Sequence, residues 1–343
     1  SQSQAEKLLA AMSPAEKVGQ LFLIRFSGSN VSEGTILREL ITARHIGGFV
    51  LSAESDNFSG TDTLASAYTL IAAMQSAAWE KTQHSPDTTL RGELPVYIPL
   101  YIGIEQSGKH SSQILTGLSD QPDQMTLGAT WSPSLAQQSG ELLGSELSAL
   151  GINLFLGPTL DVAETTNLEA AAYSGTDVYG GDPYWVGKIG QAFITGLHVG
   201  SGNRMSVVAQ HFPGLGSADR PPDEEVATVR KSLEQLKQIE LAPFFSVTSA
   251  EDPGMRADGL MVSHIRFQGF QGNIRATTRP ISFDATALAQ LLAVEPLASW
   301  RAAGGLTVSQ SLGSKAVRSF FDPTGHSFDA NTIARTAFLA GND

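Results

Sequence analysis

Apolar residues along this chain alternate between two patterns. Short runs rich in Val, Ile, Leu and Phe read as buried strands: Gln20–Phe26, Ile46–Ser52, Val96–Glu105, Ile152–Val162, Met205–His211, Leu260–Phe267 and Gly305–Gln310. Between them, apolar residues recur at helical spacing over Ser32–Arg44, Asp62–Lys81, Ser132–Leu150, Pro183–Gly200, Ser232–Val247 and Phe283–Glu295. Some of these segments open on a capping residue, as with Ser132 before Pro133 and Ser232 three residues before Gln235. Strand alternating with helix over this length predicts parallel βαβ units, in a barrel or a doubly wound sheet. A doubly wound nucleotide fold carries a phosphate-binding glycine signature after an early strand, and none is present. Gly103, Gly108, Gly157, Gly214 and Gly313 instead lie within or after several different strands. The pattern therefore favours an α/β fold of (β/α)8 TIM-barrel type, formed as a single domain over residues 1–343.

The stretch from Met205 to Glu225 concentrates the chemistry. Val207 and Val208 read as a buried strand that breaks at Pro213 and Gly214, so Gln210 and His211 are delivered to a rim. A loop follows, with Gly216, Pro221, Pro222 and the acids Asp223, Glu224 and Glu225. Composition narrows the partners. With 41% hydrophobic residues and 16% charged, the chain has material for a packed core. A net charge of -12 argues against nucleic acid or an anionic membrane surface, since both are held by clustered Lys and Arg. No cysteine is present, and the seven His are scattered with no pair three or four residues apart, so neither a metal nor a cofactor is called for. No apolar run is long enough for membrane insertion. The opening SQSQAEK is small and polar, as after a removed export signal or at an expression scar, and the expected location is extracytoplasmic or secreted.

Eight segments carry a family resemblance, in order and over nearly the whole chain. They are KVGQLFLIRF from Lys17, IGGFVLS from Ile46, IPLYIGIEQSGK from Ile98, LGATWSP from Leu127, LGINLFLGPTLDV from Leu150, YGGDP from Tyr179, QHFPGLG from Gln210 and GGLTVSQSLGSKAV from Gly304. The chain resembles glycoside hydrolase family 3, in particular the bacterial β-N-acetylglucosaminidases of the NagZ type. The resemblance implies a barrel with its site at the C-terminal rim of the strands. It also implies a carboxylate nucleophile, and that position is Gln310, a neutral amide followed by Ser311. The family's acid/base His belongs to the loop that here runs from Ser217 to Glu225 and holds no His. Asp223 or Glu224 could protonate a leaving group only with a raised pKa, and adjacent loop acids are read as solvated.

The sugar-binding positions implied by the resemblance have also changed. The family's Lys-His pair is Gln210–His211, and its Asp-Gln-Glu-Gly-Gly stretch is Glu105, Gln106, Ser107, Gly108, Lys109. Positions where the family presents Arg are His110, Gln113 and Asp177. Each lost charge-assisted bond to a sugar is worth about 1.5–3 kcal/mol. The candidate substrate-binding residues are Glu105, Asp177, Gln210, His211 and His264. Asp161 and Asp182 are read as turn residues, and Trp131, Tyr179, Tyr184 and Trp185 as packing rather than a stacking platform. Loss of nucleophile, acid/base and binding cations together predicts a non-catalytic binding or scaffolding subunit. Its expected partners are other protein chains of an assembly, with weak carbohydrate binding. The alternative is a β-N-acetylhexosaminidase-type hydrolase with altered catalytic residues. In the family, the segment matching Ala340–Asp343 leads into an eighth strand, so the barrel is expected to be incomplete at its C-terminal strand. Open edges at Gln20–Phe26 and Gly305–Gln310 would then pair with another chain or with a continuation of this one.

Overall fold

The computed structural model describes residues 3–58, 61–83, 97–105, 115–164 and 175–343. They form two compact units. The first comprises Ser1–Gln106, Ser111–Ser119 and Glu146–Phe155. Its parallel strands are β1 (Leu23–Arg25), β2 (Gly48–Leu51), β3 (Tyr101–Ile104) and the start of β4 (Leu154–Thr159). They pair in chain order, with Leu23 opposite Gly48, Gly48 opposite Tyr101 and Gly103 opposite Leu154. β2 is buried along its whole length, the mark of a parallel strand covered on both faces. Asn153 fixes the register of β3 against β4: its side chain accepts from the Ile102 amide at 2.7 Å and donates to the Leu100 carbonyl at 3.0 Å.

The second unit comprises Ser107–His110, Asp120–Ser145 and Leu156–Asp343. It carries the rest of β4, then β5 (Ser206–Phe212), β6 (Thr228–Val229), β7 (Gly259–Val262), β8 (Arg266–Phe267) and β9 (Leu306–Ser309). β5 pairs with β7 and β7 with β9, all parallel, while β6 and β8 make a separate two-stranded sheet. The seven predicted strand regions each overlap one barrel strand. The fold is α/β, a (β/α)8-type barrel that is incomplete, with seven barrel strands among the described residues.

Two segments divide where one element was expected. Leu260–Phe267 splits into β7 and β8, because the chain leaves the sheet once the Ser263 amide has bonded the Phe212 carbonyl at 2.8 Å. Ser232–Val247 splits into helices Leu233–Gln238 and Ala242–Thr248; Pro243, which has no N–H, sits in the first turn of the second. The Ser232 cap with Gln235 forms as read.

The long helices Pro133–Ala149 and Pro183–Ser201 approach along interlocking glycines. A Cβ on Gly140 would lie 2.3 Å from the Phe193 carbonyl oxygen, and one on Gly144 2.5 Å from that of Leu197. From the other side, a Cβ on Gly196 would lie 2.1 Å from the Gln137 oxygen, and one on Gly200 2.0 Å from that of Glu141. Side chains are excluded from this seam, so the two backbones touch and the helix N-termini come together. The edge of β9 is partly occupied by the chain's own residues. The Asp343 amide donates to the Thr307 carbonyl at 2.8 Å, and its carboxylate accepts from the Thr307 amide at 2.8 Å.

Candidate active site at the strand ends of the second unit

Where β5 runs alongside β7, Val208 faces Gly259 and Ala209 faces Leu260, but the next paired residue is Phe212, opposite Val262. Gln210 and His211 thus stand opposite the single residue Met261, a bulge of the kind that re-aims side chains beside a site. The Gln210–His211 and Phe212–Pro213 peptides are both cis. Gln210 is buried, and its carbonyl accepts from the Leu160 amide at 2.5 Å. The His211 ring is 22% exposed. Its Nδ1 lies 2.8 Å from Oδ2 of Asp161, whose other oxygen accepts from the Leu215 amide at 2.6 Å.

Asp161 is therefore more than a turn residue. It is buried at the end of β4 and spends both oxygens on the β5 loop, one on the backbone and one on the imidazole. A carboxylate facing Nδ1 places a proton there, which leaves Nε2 as the nitrogen that can take or give a proton. Gly216 permits the loop's approach, since a Cβ would fall 1.7 Å from the Val162 carbonyl oxygen. Beneath the loop, buried Glu240 accepts from Lys231 Nζ and from Ser217 Oγ, both at 2.5 Å. Sequence reasoning missed that anchor, because Ser217, Lys231 and Glu240 share no periodic spacing and look like surface residues.

His264 is fully enclosed: Nε2 meets the Ser311 carbonyl at 3.0 Å, Nδ1 meets Ser282 Oγ at 2.8 Å, and the ring stacks on Phe283. The carbonyl can only accept, so Nε2 carries the proton and Ser282 donates to Nδ1. Burial lowers the His264 pKa to about 4. With both nitrogens engaged inside the protein, His264 braces the ends of β7 and β9 rather than facing a ligand. Gln310 is half-buried; its amide donates to the Val262 carbonyl at 2.9 Å and its side-chain oxygen accepts from the His264 amide at 3.4 Å. Asp177 is half-buried ahead of the Pro183–Ser201 helix. Glu105 belongs to the first unit and pairs with Arg25 at 3.4 Å. Gln106, Ser107, Gly108, Lys109, His110 and Gln113 lie outside the described residues.

Three acids of the 217–225 loop, Asp219, Glu224 and Glu225, are held by cations. Asp219 meets Arg220 at 3.1 Å and Arg230 at 3.4 Å, Glu225 meets Arg220 at 3.0 Å, and Glu224 contacts Lys315. Among the described residues, no group of three or more acids and histidines is arranged to hold a metal, and no helix is long and apolar enough to cross a membrane.

Residues 14–316 match the glycosyl hydrolase family 3 N-terminal domain. The chain belongs to glycosyl hydrolase family 3. It is 26% identical over 306 residues to Beta-hexosaminidase A of Pseudoalteromonas piscicida, covering 84% of this chain and 44% of that protein. A Beta-hexosaminidase of Thiobacillus denitrificans is 28% identical over 173 residues, covering 49% of this chain and 45% of the relative. The chain thus spans about half the length of the curated relatives it matches. Among solved structures, a family 3 β-N-acetylglucosaminidase from Paenibacillus sp. str. FPU-7 superposes with a TM-score of 0.76 at 26% identity, covering 97% of this chain and 54% of that one. NagZ from Neisseria gonorrhoeae in complex with N-trifluoroacetyl-D-glucosamine shares the fold, with a TM-score of 0.69 at 23% identity over 94% of this chain and 79% of that one. The curated relatives are named as beta-hexosaminidases and the Paenibacillus structure as a β-N-acetylglucosaminidase, which overturns the expectation of a non-catalytic binding or scaffolding subunit.

Proposed function

We propose that this family 3 domain is a glycoside hydrolase acting on β-N-acetylhexosaminides, with His211 as its acid/base group. The observation that carries the reading is the Asp161–His211 pair, 2.8 Å apart at the strand ends, with the carboxylate buried and the imidazole part-exposed. A protein carboxylate nucleophile is not needed if the substrate supplies its own. The 2-acetamido oxygen of an N-acetylhexosaminide can attack the anomeric carbon while His211 Nε2 protonates the departing glycosidic oxygen. The alcohol leaves and a bicyclic oxazolinium remains. Water then adds at the anomeric carbon, gives a proton to His211 and restores the acetamide with retention. This route accounts for a hydrolase with Gln310 at the nucleophile position. Asp161 stabilises the imidazolium that exists before the first step and after the second.

Paired chromogenic substrates test the reading. The aryl β-N-acetylglucosaminide should be cleaved and the aryl β-glucoside, which has no acetamido group, should not. His211→Ala should lower kcat by about 10²-fold or more. No turnover by the purified chain would overturn the activity, and equal turnover of both substrates would overturn the substrate-assisted route.

A further inference from the structure

The interlocked helices bring exposed aromatic rings together at their N-termini. Trp131, just ahead of Pro133–Ala149, lies 5.1 Å from Trp185 in an edge-to-face arrangement, and Tyr184 lies 5.6 Å from Trp185 in the same geometry. These rings are not packing residues in the ordinary sense. Trp131 is 56% exposed and Tyr184 62% exposed. Trp131 also adopts φ 52, a left-handed conformation that a bulky residue rarely takes. Asp182 fixes the other side by accepting from the amides of Tyr184 at 3.0 Å and Trp185 at 3.2 Å. Beside Tyr184 lies a depression of about 360 Å³ lined by Asp182, Lys188, Gln238 and Ser246, with Lys188 Nζ 5.8 Å from the Tyr184 ring centroid.

We infer that this surface is a second carbohydrate-binding site, for a chain of β-linked N-acetylhexosamines longer than the one or two sugars a catalytic pocket holds. Pyranose rings present flat C–H faces that stack on exposed aromatic rings, and their hydroxyl and acetamido groups need nearby donors and acceptors. The ring cluster supplies the first, and Asp182, Lys188 and Gln238 supply the second. Position agrees. In alternating strand–helix units each helix runs back against its strands, so the N-termini of these two helices lie toward the C-terminal ends of the strands, where Asp161 and His211 also sit. Tyr179, the fourth aromatic of this region, is buried beneath the surface and belongs to the core.

The sugar class rests on the proposed hydrolase activity, whereas the site rests on the rings, and the two are tested separately. Binding of a soluble β-1,4-linked N-acetylglucosamine tetramer, and of the monosaccharide, is measured by tryptophan fluorescence and calorimetry. The wild type is compared with a Trp131→Asn, Tyr184→Ala double variant; Asn tolerates the left-handed backbone that Trp131 occupies. The tetramer should bind the wild type at least about tenfold more tightly than the variant, which lacks both exposed rings. Monosaccharide binding and aryl-glycoside turnover should stay within about twofold. Ring-dependent tetramer binding without aryl-glycoside turnover would sink the hydrolase reading and leave this site standing. Turnover with no ring-dependent binding would overturn this site alone. A ring-dependent dimer in sedimentation, without tetramer binding, would reassign the surface to self-association and overturn it as well.

Discussion

Two buried histidines of the second unit hold opposite proton preferences because of what faces their ring nitrogens. His198 meets only acceptors, the Gly254 carbonyl at 2.8 Å and Asp258 at 2.9 Å. Burial lowers its pKa, but the bonds to Asp258 and Gly254 outweigh that and the pKa is raised. Its stabilising contribution is full below the unfolded pKa of about 6.5 and is lost as pH rises through the folded value. His264 faces one donor and one acceptor in a closed apolar setting, and burial brings it down to about 4. The unfolded chain then binds a proton that the folded chain refuses, so His264 costs stability as pH falls from about 6.5 to about 4. Urea unfolding across that window should show a His264-dependent slope of up to about 1.4 kcal/mol per pH unit. An unchanged slope in His264→Gln would refute the assignment. At the candidate site, Asp161→Asn still accepts from the Leu215 amide but no longer stabilises a His211 cation. It should keep the fold by circular dichroism and lose turnover by about 10²-fold or more. The place of His211 at a strand end was legible in the sequence. The partnership with Asp161 was not, because an Asp three residues after Pro158 is equally well explained by a turn, and only the bulge in β5 decides between them.

Elements were easier to read than their contacts. Strand regions and helical stretches followed from hydrophobic period, since each must bury a face. Interruptions did not follow: the apolar run through Leu260 and Phe267 gives no sign that the backbone leaves the sheet at Ser263. The glycines at 140, 144, 196 and 200 also escaped notice, because glycine in a helix reads locally as a weakness. Its purpose lies in the facing helix. Gly196→Ala should therefore be costly despite the better helix propensity of Ala, since its Cβ would sit 2.1 Å from the Gln137 oxygen. An expected loss of about 1–3 kcal/mol in urea melts follows from forcing the helices apart. Gly254→Ala is the control; its Cβ would find the nearest atom, in Asp252, at 3.4 Å, and it should cost less than about 1 kcal/mol. Equal costs would refute the packing argument. Separation of the helices would also part Trp131 from Trp185, so this seam sets the geometry of the aromatic surface.

For the molecule as a whole, parallel pairing in chain order leaves β9 with one neighbouring barrel strand, β7, among the described residues. The sequence marked Gly305–Gln310 as the last apolar strand region. It did not reveal that Asp343 itself would bond the edge. Arg301 Nη2 donates to Asp343 Oδ1 at 2.6 Å, and Thr307 Oγ1 donates to the Gly341 carbonyl at 2.9 Å. Burial raises the Asp343 pKa, but Arg301 and the Thr307 bonds outweigh it and hold the carboxyl below its usual range. The clasp's contribution to stability is therefore full above the ordinary carboxyl pKa of about 3.9 and is lost as pH falls through the lower folded value. Asp343→Ala removes the acceptor of the Thr307 amide and leaves Arg301 without its carboxylate. Because the pair is one-third exposed, the expected loss is modest, about 1 kcal/mol. The sharper readout is local. Amide exchange at Thr307 should accelerate at least about tenfold at neutral pH while exchange at Leu260 and Val262 in β7 holds steady. Uniform acceleration across β7 and β9 would mean that Asp343 supports the whole sheet rather than its edge, and no change would mean that the clasp contributes nothing.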